Sequence, residues 1–207
     1  MMEQADAMRA EIYLLLASLF RRAPNQEQKA FLAELAVEEK ESAMSQAWQN
    51  VVDAARQANV NQLEEEYQTV FIGIGRGEVV PFASWHITGS LMEKPLAELR
   101  QHMVELGLSR NETVKEPEDH ISALCESMAL LITEASEQQQ VFFHRHITPW
   151  FEKLAAQIAQ AQHAHFYRSI GALMQAFFRL EQTTMTPSTI ASKRNTHTMR
   201  VKNLVKQ

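Results

Sequence analysis

The sequence has a single cysteine, Cys125, so no disulfide can form within the chain. That excludes the disulfide-stapled secreted scaffolds, and Cys125 falls on an apolar stripe that suits a reducing compartment. Glycine and proline are few, six of each in 207 residues. The Ala, Gln, Glu, Leu and Met found in their place favour helices over strands. No run of strand character is bounded by turn residues and no segment repeats, which leaves an all-α fold. Nor does any apolar run approach the roughly 18–20 residues needed to cross a bilayer. The longest, Ile12 to Phe20, is broken by Ser18 and flanked by Glu11 and Arg21. The first residues lack the basic region and small-residue cleavage site of a signal peptide, so the expected location is the cytoplasm.

Catalytic and cofactor apparatus is missing as well. Gly73-Ile74-Gly75-Arg76-Gly77 is glycine-rich, but it lacks the dinucleotide spacing and follows a helix rather than a strand. No Glu-x-x-His occurs, which removes the di-iron carboxylate bundle. There is no His-Glu-x-x-His, and one cysteine cannot build a zinc knuckle. The pairs His144/His146 and His163/His165 are spaced i, i+2, on different helix faces. Phe82-Ala83-Ser84-Trp85 offers no Gly-x-Ser-x-Gly elbow. Neither an enzyme nor a bound cofactor or metal is expected.

Acid is absent from one region. Residues 182–207 carry Lys193, Arg194, Arg200, Lys202 and Lys206 with no Asp or Glu, which leaves −10 on the rest of a chain whose total is −5. An acidic body argues against nucleic acid and suits a basic peptide. The tail, from Thr183 on, either keeps the chain soluble, folds back on the body, or binds an acidic partner.

What is present is helical periodicity. Nine segments show it: about 8–21, 25–35, 41–58, 61–71, 95–106, 117–135, a short one starting at 141, 149–162 and 166–182. Capping boxes open two of them, Asn25 with Gln28 and Asn61 with Glu64. Pro95, Pro117 and Pro149 suit first helical turns. Between the fourth and fifth segments, five of the chain's twelve Gly and Pro fall within Gly73–Gly89. This long loop, about 73–94, carries Val79, Val80, Phe82, Trp85 and Ile87, too apolar to stay loose in water. It is either a binding surface on a helical scaffold or a plug packed into the core. The expected architecture is one helical bundle domain, residues 1–182, with this loop between its halves and a basic tail over 183–207.

The pivotal stretch is Lys115-Glu116-Pro117-Glu118-Asp119-His120. It opens a helix whose Ile121, Leu124, Cys125, Met128, Leu131 and Ile132 form one buried stripe. With Pro117 in the first turn, Glu118 and Asp119 would sit at the positive end of the helix dipole. Asp119 would then point outward, with His120 at the border of the stripe.

Three segments together resemble the TorD/DmsD family, within the NarJ-like group of redox-enzyme maturation chaperones. They are Tyr67-Gln68-Thr69-Val70-Phe71-Ile72-Gly73 followed by Pro81-Phe82-Ala83-Ser84; Glu116-Pro117-Glu118-Asp119-His120; and His146-Ile147-Thr148-Pro149-Trp150 followed by His165-Phe166-Tyr167-Arg168. The similarity spans roughly residues 8–182, and the loop from Ser84 to Leu96 is most like the branch associated with formate dehydrogenases. The resemblance implies a cytoplasmic, non-enzymatic chaperone that binds the twin-arginine leader or body of a molybdenum enzyme until its cofactor is in place. It implies a monomer or a domain-swapped homodimer, with the Gly73–Gly89 segment as hinge. Its peptide-binding residues would be Pro81, Phe82, Ser84, Trp85, His86, Glu116, Pro117, Asp119 and His120. Glu116 and Asp119 would pair with the leader's guanidinium groups. Pro81, Phe82 and Trp85 would take its apolar part, and His120 would orient Asp119 or gate affinity with pH. The competing reading is a helical adaptor that binds an acidic partner or nucleic acid through the basic tail.

Overall fold

A computed structural model describes residues 4–38, 41–74, 76–109, 115–134 and 136–185. The tail beyond residue 185, on which the adaptor reading depends, lies outside the described residues. Ten α-helices are found among them: α1 (Gln4–Arg21), α2 (Gln26–Glu34), α3 (Ala43–Gln57), α4 (Val60–Tyr67), α5 (Ala83–Thr88), α6 (Lys94–Glu105), α7 (Ile121–Thr133), α8 (Gln139–His146), α9 (Phe151–Gln160) and α10 (Phe166–Thr184). No strand forms among the described residues, and the all-α expectation holds.

The count exceeds nine because α5 stands inside the segment expected to be one long loop. Other boundaries shift for local reasons. Asn59, not Asn61, caps α4: its side chain accepts from Gln62 N, and the Gln62 side chain answers at the Asn59 N–H. The box at Asn25 and Gln28 is as expected. α4 runs on into a π-turn, Gln68–Ile72, which ends when Gly73 N–H bonds the Gln68 carbonyl. Such turns cluster at functional sites.

The core is built on α1 packed along α7, with α10 laid against α3 and α9. α1 buries Tyr13, Leu16, Leu19 and Phe20; α7 answers with Leu124, Cys125, Met128 and Ile132. Aromatic side chains join these helices. Tyr13 meets Phe177 edge-on at 4.8 Å, and Phe71 meets Tyr167 the same way at 4.9 Å. The last carbonyls of a helix have no partner in their own helix. Those of α1 are met by tyrosine hydroxyls, Tyr167 donating to Leu19 O at 2.9 Å and Tyr67 to Arg21 O at 2.7 Å. A buried carboxylate, Glu181, is balanced by Arg9 through two bonds of 2.8 and 2.9 Å and by the Tyr13 hydroxyl. Both ends of α1 are therefore tied to residues far away in sequence.

Candidate functional site

The two stretches singled out above meet in space. Pro81–Ala83 and Asp119–Ile121 lie side by side as a short antiparallel bridge, with Ile121 N–H donating to Pro81 O at 2.9 Å and Ala83 N–H to Asp119 O at 3.0 Å. The Asp119 side chain then accepts from Ser84 N–H at 2.9 Å. Backbone and carboxylate of one residue thus satisfy the first two N–H groups of α5. A six-residue helix is far below the ~12–15 residues at which isolated helices become even marginal in water. α5 exists because Asp119 holds its start, while the ring of His86 stacks on Trp150 at 5.3 Å and its Nε2 donates to Val80 O at 2.8 Å. Lys153 on α9 adds a bond to His86 O.

This arrangement corrects the sequence reading at three residues. Pro117 is not in the first turn of α7, which begins four residues later at Ile121; Pro117 instead opens a turn closed by His120 N–H on its carbonyl. Asp119 does not point outward: it is 1% exposed and engaged with α5. His120 is the N-cap of α7, its Nδ1 accepting the Ser122 N–H at 3.1 Å. That bond needs a lone pair on Nδ1. Burial, followed by the charge of Arg21, keeps the ring neutral by lowering its pKa to about 3. A gate near neutral pH is therefore excluded for His120.

The other expected residues divide. Pro81 and Ser84 are buried, and the Ser84 hydroxyl has no hydrogen-bond partner among the described residues. Phe82 and Trp85 are half-buried, and the edge of one ring of the Phe82–His120 pair meets the face of the other at 4.9 Å. Glu116 is exposed. Its neighbour Glu118 is held by Arg100 on α6 at 2.8–2.9 Å, which ties this segment to α6.

The opposite side of α5 borders a cleft of about 190 Å3, lined by Ala83, Ile87, Pro95, Leu99, Leu124 and Pro149 with Asp119, Glu98, Arg145 and His146. Behind it His146 Nε2 and His102 Nδ1 are joined by a hydrogen bond of 2.8 Å. Burial, then His102 and Arg145, lowers the pKa of His146 to about 3. Beyond the cleft, in the α5–α6 connection, Leu91 and Met92 are exposed, as is Ile87 at its edge. Met92 holds a φ of 59°, the only positive φ at a non-glycine among the described residues. The cleft falls below the ~300–1,000 Å3 of a typical ligand pocket and suits one apolar side chain. Ile87, Pro149 and His146 stood in motifs already noted. Glu98 and Arg145 gave no signal, since a charge on a helix surface looks alike in sequence whether or not it borders a cleft.

The family profile described as nitrate reductase delta subunit matches residues 37–156, more than half the chain. The chain belongs to that family, the NarJ/TorD group. Chaperone protein TorD of Vibrio atlanticus is 28% identical over 204 residues, covering 85% of this chain and 94% of the relative. TorD of Actinobacillus succinogenes is 29% identical over 132 residues, covering 61% and 65%. A crystal structure from Archaeoglobus fulgidus, assigned as a redox enzyme maturation protein, aligns with a TM-score of 0.55 at 17% identity over 84% of this chain and 94% of that one; the likeness shows a shared fold. As a member of the NarJ/TorD group the chain is a redox-enzyme maturation chaperone and not an enzyme. No described helix is long and apolar enough to cross a membrane, and no group of three metal-binding side chains occurs among the described residues.

Proposed function

We propose that this chaperone binds the twin-arginine leader of a molybdenum-containing oxidoreductase in the cytoplasm, before export, and that the client is a formate dehydrogenase. The observation that carries the reading is the cleft beside α5, with the exposed Ile87, Leu91 and Met92 at its edge and beyond. Such a leader has a basic pair followed by an apolar stretch. An apolar side chain of that stretch fits the cleft, and its neighbours cover the exposed residues. The body's charge of −10, outside the tail, attracts the basic end. Asp119 serves here by holding α5, so the direct acidic contact passes to exposed Glu116. Sequence similarity in the Ser84–Leu96 loop supports the formate dehydrogenase assignment.

Calorimetric titration with formate dehydrogenase and trimethylamine-oxide reductase leaders tests this. Selective binding to the former, weakened by Trp85→Ala and by Ile87→Glu, is expected. Absence of binding to every leader would overturn the reading and move attention to the client's folded body. Light scattering on the same samples distinguishes a monomer from the domain-swapped dimer.

A further inference from the structure

Trp85 already carries a guanidinium. The Arg76 side chain lies over its indole with Cζ 4.5 Å from the ring centroid, inside the ~6 Å range of a cation–π contact. Arg76 is exposed and joins no ion pair among the described residues. Its position is set by the backbone. Gly73 has φ 62°, and a Cβ there would stand 2.3 Å from the Arg76 carbonyl oxygen; a Cβ on Gly77 would stand 2.5 Å from the Val70 oxygen. Val79 N–H then closes the loop on Val70 O at 2.8 Å. Only glycine at these two positions lets the loop turn back tightly enough to present Arg76 as it does.

Trp85 is three positions after Phe82, so the two half-buried aromatics share one side of the start of α5. That side faces away from the Ala83 and Ile87 side that borders the cleft. A planar cation stacks well on an indole, and arginine does so better than lysine because its guanidinium is planar and weakly hydrated.

We infer that the outer face of Trp85 is a guanidinium-binding subsite that Arg76 occupies from within, so that a client arginine stacks there only by displacing Arg76. The ligand's identity rests on the leader reading; the subsite does not. Arg76 acts as an internal competitor. Its displacement lowers the affinity of a peptide that stacks an arginine on Trp85 and leaves untouched one that does not use that face. The exposed side chain, anchored by a loop that need not move, is free to swing into solvent.

The test compares the full chain with Arg76→Gln, and Arg76→Gln with Arg76→Gln/Trp85→Leu, after thermal melts confirm that all are folded. Titrated with a twin-arginine leader, Arg76→Gln should bind about 3–10-fold more tightly than the parent. The gain should shrink for a twin-lysine version of the peptide and vanish in the double variant. Separately, Nα-acetyl-arginine amide should move the Trp85 indole N–H resonance saturably in Arg76→Gln and much less in the parent. Equal leader affinity in parent and Arg76→Gln, or an unmoved Trp85 resonance, would overturn the inference while leaving the leader reading intact. A moved resonance with no leader bound by either protein would support the subsite and overturn the leader reading.

Discussion

Two carboxylates in this molecule do the same job across long stretches of sequence, with different consequences. Glu66 accepts the N–H groups of His165, Phe166 and Tyr167 at 2.7–3.1 Å and so caps α10. Asp119 accepts from Ser84 and caps α5. α10 has nineteen residues, ten of them buried, so packing would hold it without the cap. α5 has six residues, two of them buried, and little else to hold its first turn. The same bond adds stability to one helix and decides whether the other forms. Long-range capping at α5 therefore joins the folding of the core to the shape of the candidate site, because Asp119 leads directly into His120 and α7.

The sharpest break of this comparison is Asp119→Ala. It removes a buried charged acceptor and leaves the Ser84 N–H unpaired, at a cost of about 2–3 kcal/mol. Hydrogen exchange should show residues 83–88 losing protection well before the rest of the chain, with leader binding lost alongside. Asp119→Asn keeps an acceptor oxygen and should retain most of both. If Asp119→Ala binds leader normally, Asp119 is not what positions the site.

Acid attacks the same junction by another route. His120 and His146 both have folded pKa values of about 3, below the ordinary 6.5. Below pH 6.5 the unfolded chain takes up protons that the folded chain refuses. Stability is therefore complete above pH 6.5 and declines as pH falls toward 3. Each histidine contributes a loss on the order of 1–2 kcal/mol between pH 6.5 and 5. His120→Asn keeps a capping side chain but cannot titrate, so its denaturant midpoint should fall less steeply over that interval than the parent's. An unchanged slope would mean that His120 is protonated in the folded state.

Glu66→Ala supplies the other side of the comparison. With α10 held by its packing, the loss should be about 1 kcal/mol, typical of a helix cap. Thermal melts should show it as a modest drop in Tm, while leader affinity stays at the parent value. A collapse of binding here would show that the two caps are not separable.

Much of this was legible in the sequence where causes are local. The box at Asn25 and Gln28, the buried stripe of α7 and the stop at Gly107, with φ 70°, all follow from residues a few positions apart. Proline as a first-turn residue held at Pro95. It failed at Pro117 and Pro149, where turns precede helices that start at Ile121 and Phe151. α5 was invisible because Ala83 and Ile87 are too few to form a stripe and its cap comes from thirty-five residues downstream. For the same reason Asp119 looked like an exposed acid: its partner lies on a segment that no local pattern connects to it. The motif resemblance did pick out both halves of the junction, though neither half reveals by itself which acid faces solvent.

Glu116 and Asp119 lie three residues apart in that motif, and only Glu116 is exposed. A solvent-facing carboxylate opposite a leader arginine is worth at most about 1 kcal/mol, through charge alone. Glu116→Gln should therefore weaken leader binding by no more than about five-fold. It should leave Tm and the exchange of residues 83–88 unchanged. Because exposed charges are screened over about 10 Å at 0.1 M salt, raising the salt should shrink the difference between Glu116→Gln and the parent. The defect in Asp119→Ala, being structural, should persist at every salt concentration. Two acids of one short motif would then be separated by salt alone, and a salt-independent defect at Glu116 would mean that it also holds the junction together.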